Sequence, residues 1–179
     1  MTSRLPADPM LRATVAESEQ QRDAALDALV QRVPYLVFLG MAFERIDDQV
    51  TAILRFDERM IGNPVLPALH GGVTAALLES TALIELGWCR VREVLAKGNV
   101  AVGGCDSLRL PEIPKTIDFT IDYLRTGRPQ DAYARAHVAR LGRRYASVNI
   151  VAWQDDEERF FAQANGHFLM PESGFRDAG

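Results

Sequence analysis

Cysteine and histidine are scarce in this chain, with two of the first and three of the second among 179 residues. Cys89 and Cys105 form no CxxC pair, and no histidine stands at ligand spacing from either. Neither a disulfide framework nor a structural zinc site is therefore encoded, and both thiols are expected to be buried and reduced. An excess of positive charge is also missing. Twenty basic against 24 acidic residues leave a net charge of -4, which offers no electrostatic footprint for nucleic acid. The opening MTSRLPADPM has no apolar run of signal-peptide length, and no stretch approaches the roughly 20 apolar residues of a membrane span. The expectation is a cytoplasmic protein without a membrane or nucleic-acid partner. Internal repeats and low-complexity tracts are absent as well.

What the chain does have is 47% hydrophobic residues, enough at this length for one domain with a real core. Three regions follow: an N-terminal helical arm over 1–33, a folded domain over 34–170 and a loose tail over 171–179. In the arm, Leu26, Leu29, Val30 and Val33 are spaced for a helix that Pro34 interrupts. Residues 38–56 alternate around Asp47, Asp48 and Gln49 as two short strands of a hairpin. After the Gly- and Pro-rich RMIGNPVLPALHGG, the largely apolar segment from Gly71 to about Val94 has a helical period. Ala76, Leu77, Ser80, Leu83, Ile84 and Gly87 share one stripe, and Glu85 falls opposite. The stretch 98–115 reads as irregular connection with room for a short strand at 100–102. From Thr116 the period changes to two, giving four strands (TIDFTIDYLR, AYARAHVARL, YASVNIVAWQ and RFFAQANGHFLM) separated by short turns. Consecutive pairing as a meander is expected. The class is α+β, one antiparallel sheet holding one long helix.

The residues that carry chemistry are His70, Gly71 and Gly72, followed on the helix by Glu79. Free N–H groups at a helix start, with the positive end of its dipole, form a site for a developing oxyanion, and glycine lets a carbonyl come close. The same pair also reads as a plain turn into the helix. Glu79 is the sole carboxylate between Gly71 and Ile84, and it flanks the apolar stripe about 20° from Gly72. Desolvation there suits a general base or nucleophile, and a rim carboxylate is the competing reading. Seven residues separate Gly72 from Glu79, roughly 10 Å along one helix and too far for joint action on one carbonyl. Two helices lying antiparallel about a two-fold axis would bring the glycines of one subunit to Glu79 of the other, with Ala75 and Ala82 allowing close approach.

The segments LHGGVTAALLESTAL, TIDFTIDYLRTG and GRRYASVNIVAW, with PYLVFLGM and Asn63 ahead of them, resemble the phenylacetate-degradation type of acyl-CoA thioesterase in the hotdog superfamily. The likeness runs from about residue 34 to 170. It implies a hotdog fold, a curved sheet wrapped around a central helix, and homodimers that often pair into homotetramers. It also implies that His70 shapes the helix start, that the Gly71 and Gly72 amides hold the thioester carbonyl, and that Asn63 and Thr116 assist carbonyl, water or carboxylate. Glu79 stands nine residues after the histidine, where this type usually has Asp, and Ala68 replaces a common Gly. Coenzyme A phosphates would suit Arg125, Arg143 and Arg144, which also read as exposed turn arginines. His137 and His167 lie within strands, where a structural role is expected. Trp88, Phe119 and Trp153 are expected in the core or pocket wall.

The reaction these readings imply is hydrolysis of an acyl-CoA thioester, with Glu79 activating water or attacking directly. No metal and no cofactor is needed, coenzyme A entering only as part of the substrate. A hotdog dehydratase or hydratase and a non-catalytic acyl-CoA binding protein are the alternatives.

Overall fold

The structure, a computed structural model, describes residues 9–46, 48–96 and 110–172. Helix α1 runs over Pro9–Gln31. Pro34 does more than interrupt it: with no N–H and a preset φ, it occupies the start of a second short helix, α2 (Pro34–Phe38). Gly40, at φ +65, then turns the chain into strand β1. The hairpin expected over 38–56 forms from β1 (Met41–Ile46) and β2 (Gln49–Leu54). A small hairpin of β3 (Ile61–Asn63) and β4 (Ala68–Leu69) leads into the long helix α3 (Gly71–Ala96). Strands β5 (Lys115–Tyr123), β6 (Ala132–Leu141), β7 (Tyr145–Trp153) and β8 (Ala162–Leu169) complete the chain. The proposed strand at 100–102, Cys105 and most of the tail lie outside the described residues. Among those residues no helix is long and apolar enough to cross a membrane.

The six-stranded antiparallel sheet has the order β1-β2-β6-β7-β8-β5, which corrects the expected meander at one strand. Strands β6, β7 and β8 pair in sequence, but β5 pairs with β8 and not with its successor β6. The reason lies at the end of β5. The amides of Leu124 and Arg125 both donate to the Phe161 carbonyl, at 2.9 and 3.0 Å, holding the exit of β5 beside the entry to β8. The following residues cross the end of the sheet to β6, whose other flank takes β2. Among the described residues strand β5 is thus left as a long edge.

Alternate residues of the inner strands, among them Ala134, Val148, Ile150, Ala152, Ala164 and Phe168, are buried toward α3. Trp88 and Trp153 are buried as expected, and Phe119 packs on the core. On its other flank α3 is crossed by α1, where Leu29 comes so close to Gly87 that an added Cβ would lie 2.9 Å from its Cδ2. With two covers, the helix is sealed almost all round, and two expectations need correction. Ala82 is buried within its own chain, so it is closed to a partner helix. Glu85 is buried as well, at 9% exposure, instead of lying on an open face.

Glu85 packs with Arg92 at 3.6 Å and accepts from the Cys89 thiol, while Arg92 reaches the Asp48 carbonyl at the β1–β2 turn. Cys89, expected to be buried, is half-buried and carries a free thiol. Burial pushes the Glu85 carboxyl up to about 7, with Arg92 and the Cys89 hydrogen bond opposing that rise. A carboxyl raised in the folded state favours folding below its ordinary value near 4.5, and this contribution is lost as pH climbs through about 7. The full shift corresponds to about 3 kcal/mol. Denaturant midpoints measured from pH 5 to 8 should therefore fall in the wild type and stay nearly flat in Glu85→Gln.

Candidate active site

The start of α3 is held from both sides. The His70 amide donates to the Met60 carbonyl at 2.8 Å, and the Leu69 amide donates to the Gly127 carbonyl at 2.9 Å. Gly62 permits this closure, since a Cβ there would lie 2.7 Å from the His70 Cα. His70 caps the helix: its carbonyl accepts from the Val73 and Thr74 amides, and its ring Nδ1 accepts from the Gly72 amide at 2.9 Å. The two glycines, expected to act as a pair, are therefore not equivalent. Gly72 already has a partner, whereas the Gly71 N–H has none among the described residues. The Tyr123 hydroxyl donates to the Gly71 carbonyl at 3.0 Å, so the peptide planes around this glycine are fixed by groups on either side.

Glu79 lies two turns further on. Between Thr74 and Trp88 the partly open residues of α3 are Ala75, Glu79 and Leu83, spaced i, i+4 and i+8, which is one face of the helix. Its carboxylate Oε1 accepts from the Thr116 hydroxyl at 2.6 Å, so the structure brings together two of the residues singled out in the sequence. A β-bulge makes this possible. Pairing with β8 jumps from Thr116 to Asp118, leaving Ile117 as the extra residue, and the resulting bend turns Thr116 inward to the helix. Gly71 and Glu79, eight residues apart on α3, remain separated by about 12 Å along its axis.

Asn63 ends β3 at the exposed β3–β4 loop, where its Oδ1 accepts from the Val65 and Leu66 amides at 3.0 and 3.3 Å. In one chain it shapes the loop and is not brought to Glu79. Val65 and Leu66 are exposed at its tip, and Ile117, Tyr123 and Leu124 are exposed along or just beyond the β5 edge. The three arginines also part company. Arg125 follows β5 and donates to the Phe160 carbonyl at 2.8 Å. Arg143 and Arg144 lie in the β6–β7 turn at the far end of β7, roughly 26 Å away for a nine-residue strand. His167 and His137 face outward on the sheet, His167 near Asp118 at 3.4 Å.

Tyr123 escaped the sequence reading, although it shares the inward side of β5 with Phe119 and Ile121. The signal available was strand parity, which the bulge at Ile117 shifts for the first residues only. In sum, one chain presents a capped helix start with one open amide and, separately, a carboxylate oriented by a hydroxyl. An amide in that position can polarise a carbonyl, and a carboxylate so held can accept a proton.

Comparison with known proteins adds to this geometry. A family model for the thioesterase superfamily matches residues 66–160. A protein of Escherichia coli K12 named medium/long-chain acyl-CoA thioesterase YigI is 28% identical over 161 residues, covering 88% of this chain and 99% of the relative. The crystal structure of a Chromobacterium violaceum protein, 33% identical, is similar with a TM-score of 0.58 over 89% of this chain and 99% of that one. A phenylacetic acid degradation-related protein of Ralstonia eutropha is 19% identical with a TM-score of 0.55, over 77% of this chain and 91% of that one, and shares the fold.

Proposed function

The chain belongs to the thioesterase superfamily, and from that premise we propose that it hydrolyses an acyl-CoA thioester at a site shared between two copies of itself. The observation that carries this reading is Glu79, held by Thr116 on the one partly open face that α3 has between Thr74 and Trp88. A carboxylate kept on such a face, opposite no cation of its own chain among the described residues, is arranged to meet something beyond the chain. The β5 edge, unpaired among the described residues, supplies the means of meeting it. Pairing of two β5 strands about a two-fold axis extends the sheet, covers the exposed Ile117 and Tyr123, and sets two α3 helices antiparallel. The Gly71 amide of one subunit then approaches Glu79 of the other.

In that arrangement the Gly71 N–H, with the helix dipole behind it, polarises the thioester carbonyl. Glu79 removes a proton from water as the oxygen adds to the carbonyl carbon. Collapse of the tetrahedral intermediate breaks the C–S bond, and the proton held by Glu79 goes to the departing thiolate. The products are the free acid and coenzyme A. Thr116 orients the carboxylate, His70 fixes the helix start, and Asn63 shapes the loop that carries Val65 and Leu66 toward the subunit boundary.

The relative's name makes medium- and long-chain acyl-CoAs the first substrates to offer, with aryl-CoAs beside them. Thiol release from such a panel is expected to be catalysed and to rank the acyl groups. Binding of CoA esters without thiol release from any member would overturn hydrolysis as the activity.

A further inference from the structure

Strand β5 touches both of the reactive groups on α3. Near its start the Thr116 hydroxyl donates to the Glu79 carboxylate at 2.6 Å, and at its end the Tyr123 hydroxyl donates to the Gly71 carbonyl at 3.0 Å. We propose that Tyr123 is a positioning residue that aims the open Gly71 amide, as Thr116 orients the carboxylate, an inference that rests on the thioesterase reading above.

The helix start needs such a hold. Glycine has more backbone freedom than any other residue, and neither Gly71 nor Gly72 has a side chain to pack in place. The Gly71 N–H belongs to the peptide that follows His70, and the carbonyl of that peptide accepts from the Val73 and Thr74 amides. The next peptide, between Gly71 and Gly72, sets the torsion on the other side of the Gly71 Cα. Its N–H donates to the His70 ring at 2.9 Å, and its carbonyl accepts from Tyr123. With both peptides gripped, the direction of the Gly71 N–H is fixed. The His70, Val73 and Thr74 holds all come from the same turn of chain, whereas Tyr123 lies 52 residues further on. Tyr123 thus refers the amide to the sheet and not only to its own turn.

The hydroxyl is delivered from a fixed frame. Just beyond Tyr123 the Leu124 and Arg125 amides both donate to the Phe161 carbonyl, and the Gly127 carbonyl accepts from the Leu69 amide. A Cβ built on Gly71 would lie 3.4 Å from the Tyr123 hydroxyl oxygen and 3.5 Å from Cζ, so the tip of the ring rests against Gly71 itself. From the hydroxyl through the Gly71–Gly72 peptide to the His70 ring the hydrogen bonds run in one chain, and bonds in such a chain strengthen one another.

Tyr123 is 55% exposed in the single chain, where water competes for its hydroxyl. Pairing of two β5 strands removes that water and strengthens the bond. The Gly71 amide is therefore held most firmly in the dimer, the state in which it has a carboxylate to face. Each shared site is then aligned by Tyr123 of one subunit and Thr116 of the other.

The test is the turnover of Tyr123→Phe, alone and combined with Gly71→Pro, on a thioester that the wild type hydrolyses. Phenylalanine keeps the ring against Gly71 and loses only the hydroxyl. Alone it should lower kcat about tenfold with KM unchanged, the effect of one hydrogen bond. Added to Gly71→Pro it should cost nothing further, because the N–H that Tyr123 aims is already gone. An equal loss in both backgrounds would make Tyr123 a general prop of the fold, and no loss in either would leave it idle; both outcomes overturn the assignment while hydrolysis stands. Hydrogen exchange at the Gly72 amide reads the hold without turnover and should be about tenfold faster in Tyr123→Phe. If the wild type hydrolyses no thioester but this exchange quickens, the hold on the peptide stands and the hydrolytic reading fails. Unchanged exchange would overturn the hold itself.

Discussion

Glu79→Gln is expected to lower kcat on any thioester the protein hydrolyses by about 100-fold or more, the usual range for removing a general base. The substitution is isosteric, so the helix face is unchanged in shape. The amide oxygen can still accept from the Thr116 hydroxyl, which in the native protein bonds Oε1 at 2.6 Å. What disappears is the ability to take a proton from water. Because the carboxylate acts in the transition state more than in substrate binding, kcat should carry the loss, with KM little changed. Thermal melting and sedimentation of the variant should match those of the wild type. Equal fall in kcat together with loss of the dimer would instead mark Glu79 as a subunit contact.

A second large effect is expected from Gly71→Pro, with a loss of about 100- to 1000-fold in kcat, the range seen for deletion of one oxyanion donor. Proline removes the N–H that lacks a partner and leaves the side chains of the site in place. The first position of a helix tolerates proline because its N–H makes no intrahelical bond. Gly71 does not need the left-handed backbone region, and a Cβ there meets the Tyr123 ring at ordinary contact distances, the nearest atom at 3.4 Å. The helix cap made by His70 with Gly72, Val73 and Thr74 does not pass through the deleted group. Far-ultraviolet dichroism should therefore be unchanged while turnover collapses. Retention of activity in Gly71→Pro would mean that the carbonyl is polarised elsewhere.

Much of the architecture was legible because it rests on local periodicity. The change from a period of 3.6 to a period of two near Thr116 located α3 and the strands after it, and the Gly-Gly pair marked the helix start within a residue. Glu79 stood out because a lone acid in an apolar helix demands a reason. The misses share a cause: each depends on a second element distant in the sequence. Strand β5 chose β8 over β6 through bonds to Phe161, and no local pattern encodes that choice. Glu85 looked exposed on a helical wheel because the wheel cannot show the β1–β2 turn, where the Asp48 carbonyl accepts from the Arg92 that packs on Glu85. The bulge at Ile117 decides that Thr116 meets Glu79, and a strict alternation cannot contain it.

The central claim, a site divided between two chains, is tested most directly by mixing two inactive proteins. Glu79→Gln keeps an intact helix start, and Gly71→Pro keeps an intact carboxylate. In a hybrid dimer purified through two different tags, one of the two sites unites the sound Gly71 amide of the first chain with the sound Glu79 of the second, and the other site carries both defects. The account predicts that the hybrid regains about half the turnover of the wild-type dimer, while each parent homodimer stays inactive. A hybrid as inactive as its parents would place amide and carboxylate within a single chain and contradict the shared site.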